Sequence, residues 1–119
     1  MTHSISFGAF MTLLVIAGCD NGREWRSRQA VRHLIEASPL RVSSALDKVT
    51  KIGCYALIDI EQAFHSAPLP GRLRLLDALA RGRCAEAIPL LKFIERWDND
   101  DDVRARAHAI RQALERRKH

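Results

Sequence analysis

The chain has 119 residues, 47% of them hydrophobic and 28% charged, a globular composition with room for one domain and none for a second core. Only 6% are aromatic, so Leu, Ile, Val and Ala must supply most of the buried surface, which suits packed helices. The net charge of +5 comes from 19 Lys and Arg against 14 Asp and Glu, none of them within residues 1–18, so the whole excess belongs to residues 19–119.

The first element in chain order is an uncharged, mainly apolar run from Ile5 to Gly18. A helix needs about 20 apolar residues to span a bilayer, so this run is short for a stop-transfer segment and has the length of an export leader's apolar core. It closes in Ile16-Ala17-Gly18-Cys19, an aliphatic residue, two small residues and a cysteine, and is followed at once by the tether-like Asp20-Asn21-Gly22. That ending resembles the lipobox of bacterial lipoprotein precursors, although Met1 to Ser4 carry no Lys or Arg and only His3 accompanies the amino terminus. The resemblance implies a diacylglycerol thioether on Cys19, cleavage just before it and acylation of the new amino terminus. Two or three acyl chains anchor a protein durably where one binds only marginally. Asp20 resembles the signal that retains such lipoproteins in the inner membrane, with the outer membrane as the alternative. The expected organisation is a leader over 1–18, a lipidated cysteine and tether over 19–22, and a domain over 23–119 at the periplasmic face of a bacterial cell membrane.

Six amphipathic helices are predicted after the tether. Arg23 to Ala37 ends at Ser38-Pro39, because the residue before proline is pushed out of the helical region. Leu40 to Ile52 is the second, with Val42, Ala45, Leu46, Val49 and Ile52 on one face, and Gly53 closes it. Cys54 to Ser66 carries Leu57, Ile58, Ile60, Ala63 and Phe64, and Ala67 to Gly71 reads as a turn. Arg72 to Arg81 places Leu73, Leu76, Leu79 and Ala80 on its apolar side and ends at Gly82. In Cys84 to Trp97, residues Ile88, Leu91, Phe93, Ile94 and Trp97 make the most hydrophobic helix and the expected centre of the core. Asp98 to Asp102 is a turn whose carboxylates can cap the last helix, Val103 to Arg117, where Val103, Ala107, Ile110 and Leu114 share a face.

The pairs of helices look like copies. Leu46-Asp47, Val49, Lys51 and Cys54 align with Leu76-Asp77, Leu79, Arg81 and Cys84 at an offset of 30, and a period of about 30 residues with two helices per unit marks a solenoid. The last unit, Ala87-Ile88-Pro89-Leu90-Leu91 with Asp100-Asp101-Asp102-Val103-Arg104-Ala105-Arg106-Ala107, resembles a HEAT repeat; the middle unit matches less closely and the first only in helix pattern. The resemblance implies an all-α fold, a short right-handed α-solenoid of about three HEAT-like hairpins, with a plain irregular bundle as the alternative.

With Cys19 assigned to lipid, Cys54 and Cys84 form an even pair at matching positions of adjacent units, either bridged or packed as two buried thiols. A bridge needs α-carbons within about 7 Å, closer than the 8 to 10 Å between packed helix axes, so it requires local convergence. No cysteine pair has CxxC spacing, the five histidines show no i, i+4 relation, and the run Asp98 to Asp102 lacks the glycine and glutamate of a calcium loop. No metal, cofactor, nucleophile or small-molecule substrate site is therefore expected, and the chain does not read as an enzyme.

Basic charge gathers on the second helices of the later units. Such helices line the concave side of HEAT-like arrays, so the resemblance implies that Arg72, Arg74, Arg104, Arg106 and Arg111 form a partner-binding face for an acidic protein segment. A solvated helix face is the alternative. The expected function is a lipid-anchored interaction, scaffold or immunity-type module. Two further readings are Arg111 to Lys118 lying against anionic headgroups and, without an export leader, nucleic-acid binding in the cytoplasm.

Overall fold

A computed structural model describes residues 25–118, all helices and their connections, with no strand among the described residues. Cys19, Asp20 and the expected leader over 1–18 lie outside these residues. Helix α1 covers 25–36 and is followed by α2 (Val42–Ile52), a 3-10 turn (Gly53–Ala56) and α3 (Leu57–Phe64). After α3 come α4 (Leu69–Gly82), a second 3-10 turn (Ala85–Ala87), α5 (Ile88–Trp97) and α6 (Asp101–Lys118). Helix α2 packs on α4, α4 on α6, and α5 runs closely against α6.

Burial follows the 3.6-residue period. Val31 and Leu34 of α1, Ala45, Leu46 and Val49 of α2, and Ile60 and Phe64 of α3 are buried. So are Leu75, Leu76 and Leu79 of α4, Ile88, Leu91 and Ile94 of α5, and Val103, Ala107 and Leu114 of α6. The expected stripe of α6 therefore faces the core, with Ile110 packed at its margin. Three apolar residues expected in the core stand outside it: Ile58, Phe93 and Trp97 are 65%, 47% and 63% exposed. Phe93 and Trp97 lie four apart on the side of α5 opposite Leu91, so the face that buries Ile88, Leu91 and Ile94 must turn them outward. Ala80 is likewise exposed, while Leu75 and Ala78 take the buried places on α4.

The segment Ala67 to Gly71 is not a turn throughout, because α4 already begins at Leu69. Pro68 caps it in an extended conformation and Pro70 sits in its first turn, where a missing N–H removes no intrahelical bond. Gly71 is buried, and a Cβ there would lie 2.9 Å from Ile35 Cγ2, so its small size lets α4 approach α1. At the turn before α6, Asp100 Oδ1 accepts the Val103 N–H at 3.0 Å and Asp98 Oδ1 accepts the Asp100 N–H at 2.9 Å. Asp101 and Asp102 occupy the first turn of α6, where negative charge complements the helix dipole.

Candidate interaction surface

A residue with positive φ stands directly before each of the two cysteines. Gly53, at φ 69°, opens the 3-10 turn that holds Cys54, and Arg83, at φ 53°, precedes Cys84 just ahead of the second 3-10 turn. Glycine reaches this region without penalty and arginine does so under strain. The cysteines thereby leave the helix axes, their α-carbons lie 5.4 Å apart, and the sulfurs are bonded across 30 residues. Cys54 is exposed and Cys84 buried.

Glu86, in the 3-10 turn after Cys84, places Oε2 at 3.0 Å from Cys84 Sγ and 3.7 Å from Cys54 Sγ. The two sulfurs and this oxygen form a compact group of donor atoms, but bonded sulfurs offer no thiolate to a metal. The carboxylate's place beside both sulfurs predicts an effect on thiol–disulfide exchange instead. An incoming thiolate attacks exposed Cys54 Sγ, a new S–S bond forms, the Cys54–Cys84 bond breaks, and Cys84 leaves as a thiolate beside the Glu86 charge. Like charge disfavours that leaving group and repels the attacker. Glu86→Gln is therefore expected to speed reduction by dithiothreitol several-fold, read by alkylation of released thiols; equal rates would contradict the role.

Each arginine of the expected partner face meets an acceptor group of the domain itself, Arg106 at the surface. Arg72 Nη1 donates to both Asp98 carboxylate oxygens at 3.2 Å and to Asn99 Oδ1 at 3.1 Å, and the pair is mostly buried. Arg74 Nη1 donates to the carbonyls of Leu34, Ile35 and Ala37 at 3.1, 3.2 and 2.8 Å, satisfying the free carbonyl end of α1. Arg104 donates to the Asp98 carbonyl at 2.6 Å and also pairs with Asp101. Arg106 faces Asp77 at 3.6 Å, and Arg81 faces Asp47 at 3.6 Å, so two exposed ion pairs link α2 to α4 and α4 to α6.

Arg111 closes the α5–α6 hairpin. Its Nε and Nη2 reach Glu95 at 2.6 and 3.0 Å in a forked pair, and Nη1 reaches Glu115 at 3.0 Å. His108 Nδ1 also contacts Glu95. The hydrogen bond from Arg111, then that from His108, holds the Glu95 carboxyl at about 2, well below its ordinary 4.5. The same pair raises the Arg111 guanidinium above its ordinary value. A lowered carboxylate pKa stabilises the fold above about 4.5, and that contribution is lost as pH falls through about 2. The difference in thermal midpoint between the parent and Glu95→Gln should thus be full at neutral pH and shrink across this acid window. A difference that stays constant down to pH 2 would contradict the coupling.

Sequence patterning showed the basic character of these helices but not the acids that occupy it. Glu95 and Asp98 act across element boundaries, 16 and 26 residues from Arg111 and Arg72, at separations that no local motif records, whereas Glu115 meets Arg111 at the i, i+4 spacing of one helix. Two surface clefts flank α1: one of about 530 Å³ against α2, including His33, Arg41, Ser44 and Lys48, and one of about 670 Å³ against α3, including Arg28, Arg32 and Asp59.

No protein family, curated protein or solved structure matches the chain. Among the described residues no helix is long and apolar enough to cross a membrane.

Proposed function

We propose that the chain is a membrane-anchored lipoprotein whose helical domain, held at the periplasmic face by acyl chains on Cys19, binds a protein partner as a scaffold, assembly or immunity-type module. The observation that carries this reading is Ile16-Ala17-Gly18-Cys19 at the end of an uncharged apolar run, immediately ahead of a helical domain. Asp20 favours the inner membrane. The mechanism is binding, without chemistry on a small molecule, because no nucleophile, metal seat or phosphate loop stands out in the sequence.

A HEAT-like α-solenoid is the architecture proposed for the domain. Successive second helices pack in order, α2 on α4 and α4 on α6, and matched Asp–Arg pairs join them, which supports the reading of about three stacked units. Fractionation of cells that produce the chain tests the anchor. The parent should sediment with membranes, resist salt and alkaline carbonate, and dissolve in detergent. Recovery of the parent from the soluble fraction would overturn the proposal.

A further inference from the structure

The geometry points to the first helical unit, α1 with α2, as the end of the domain that lies on the membrane, its cations set against anionic lipid headgroups. The orientation rests on the lipid-anchor reading; the preference for anionic headgroups is a property of the domain itself.

The charge is unevenly spread. Between Trp25 and Ile52 stand six cations, Arg26, Arg28, Arg32, Arg41, Lys48 and Lys51, against the two anions Glu36 and Asp47, while residues 53–118 hold twelve cations and ten anions. Asp47 is turned to Arg81 of α4. Downstream, most arginines meet an acid or a carbonyl; all six upstream cations are exposed, and none pairs with an acidic side chain among the described residues. A terminal unit of a stacked array needs a polar outer face, but that need is met by charges of either sign. A unit with an unpaired excess of one sign selects a partner of the other.

The placement of these cations favours a lipid surface over a single acidic peptide. Arg41, Ser44, Lys48 and Lys51 recur at steps of three, four and three along α2, and three of the four line the cleft against α1 opposite His33. Trp25, 57% exposed at the start of α1, is the residue type that settles at the headgroup level. It stands six residues beyond Cys19, a chain length that spans at most about 20 Å. An acylated Cys19 therefore keeps the start of α1 within reach of the headgroups at all times. Arg111, by contrast, is tied to Glu95 and Glu115 on the far hairpin.

The test uses the full chain carrying Cys19→Ser, so that acylation plays no part, and compares sedimentation with vesicles of phosphatidylcholine alone and of phosphatidylcholine containing phosphatidylglycerol. The ratio of the two partition constants removes the apolar contribution of residues 1–18. One triple variant changes Arg41, Lys48 and Lys51 to Gln; a second changes Arg83, Arg116 and Arg117 to Gln, removing the same charge from exposed sites elsewhere. The parent and the second variant should prefer the anionic vesicles, the preference should fade with salt, and the first variant should lose it by about a hundredfold. Circular dichroism verifies that each variant remains helical. Equal losses in the two variants, or a parent without anionic preference, would overturn the inference. Neither result bears on Cys19, whose acylation is read by fractionation of the unmutated chain.

Discussion

Asp98→Ala should destabilise the domain by about 3 kcal/mol, the lower end of the range for leaving a buried charge without its partner. Asp98 joins three parts of the molecule: its carboxylate accepts Arg72 from the start of α4 and the N–H of Asp100, and its carbonyl accepts Arg104 of α6. The side chains of Asp98 and Arg72 are 4% and 16% exposed, so solvent cannot replace the lost carboxylate fully. Arg72 Nε is already buried without a partner, and after the substitution Asn99 alone would remain for the guanidinium. Urea unfolding followed by circular dichroism measures the loss. Asp98→Asn, which keeps one acceptor and the Asx turn, should lose less, and Arg116→Ala, at an exposed site, should stay within about 0.5 kcal/mol of the parent. An Asp98→Ala midpoint equal to that of Arg116→Ala would mean that Arg72 is free to serve an outside partner after all.

The larger effect is expected at Phe64. It is the bulkiest of the fully buried side chains and ends α3, where it joins the core formed by all six helices. Phe64→Ala removes the ring and leaves a cavity that neighbouring helices can only partly close, for a loss of about 4 kcal/mol. In a domain of this size that corresponds to a fall in thermal midpoint of roughly 15 to 30 °C. Phe93→Ala is the control of equal chemistry: its ring is 47% exposed and stacks edge-on with His65, their centroids 5.4 Å apart, so its removal should shift the midpoint far less. Similar shifts for the two would contradict the assignment of core and surface.

That contrast also shows how far the sequence is legible. Periodicity locates all six helices, because each must bury one stripe, and the stripe of α6 reads directly as Val103, Ala107, Ile110 and Leu114. It does not separate Phe93 from Leu91, since both are apolar and the side of α5 that meets α6 is chosen by packing between helices. The Pro68-Leu69-Pro70-Gly71 stretch reads as a turn by local rules, yet prolines are tolerated in a first helical turn, and Gly71 serves close approach to Ile35. The cysteine pair is suggested by its spacing of 30 residues, whereas the convergence it needs depends on a left-handed Arg83 that no propensity anticipates.

The expected partner face departs furthest from its sequence pattern. Arginines at regular spacing are visible in the sequence, but the availability of most of them is decided by groups 16 to 40 residues away, as for Arg111 with Glu95, Arg72 with Asn99 and Arg74 with the Leu34 carbonyl. Lysine and arginine in the first unit lack such counterparts among the described residues. The composition of the chain thus gives the sum of charge, and only the fold gives its balance at each place.

The lipid anchor is tested most directly by the intact mass of the chain extracted from membranes. An anchored chain must yield a species that begins at Cys19 and carries the added mass of a diacylglycerol, with further acylation at its amino terminus, and this species must vanish for Cys19→Ser. A chain from the membrane fraction whose mass equals that of the unmodified residues 1–119, unchanged in kind by the substitution, would contradict it.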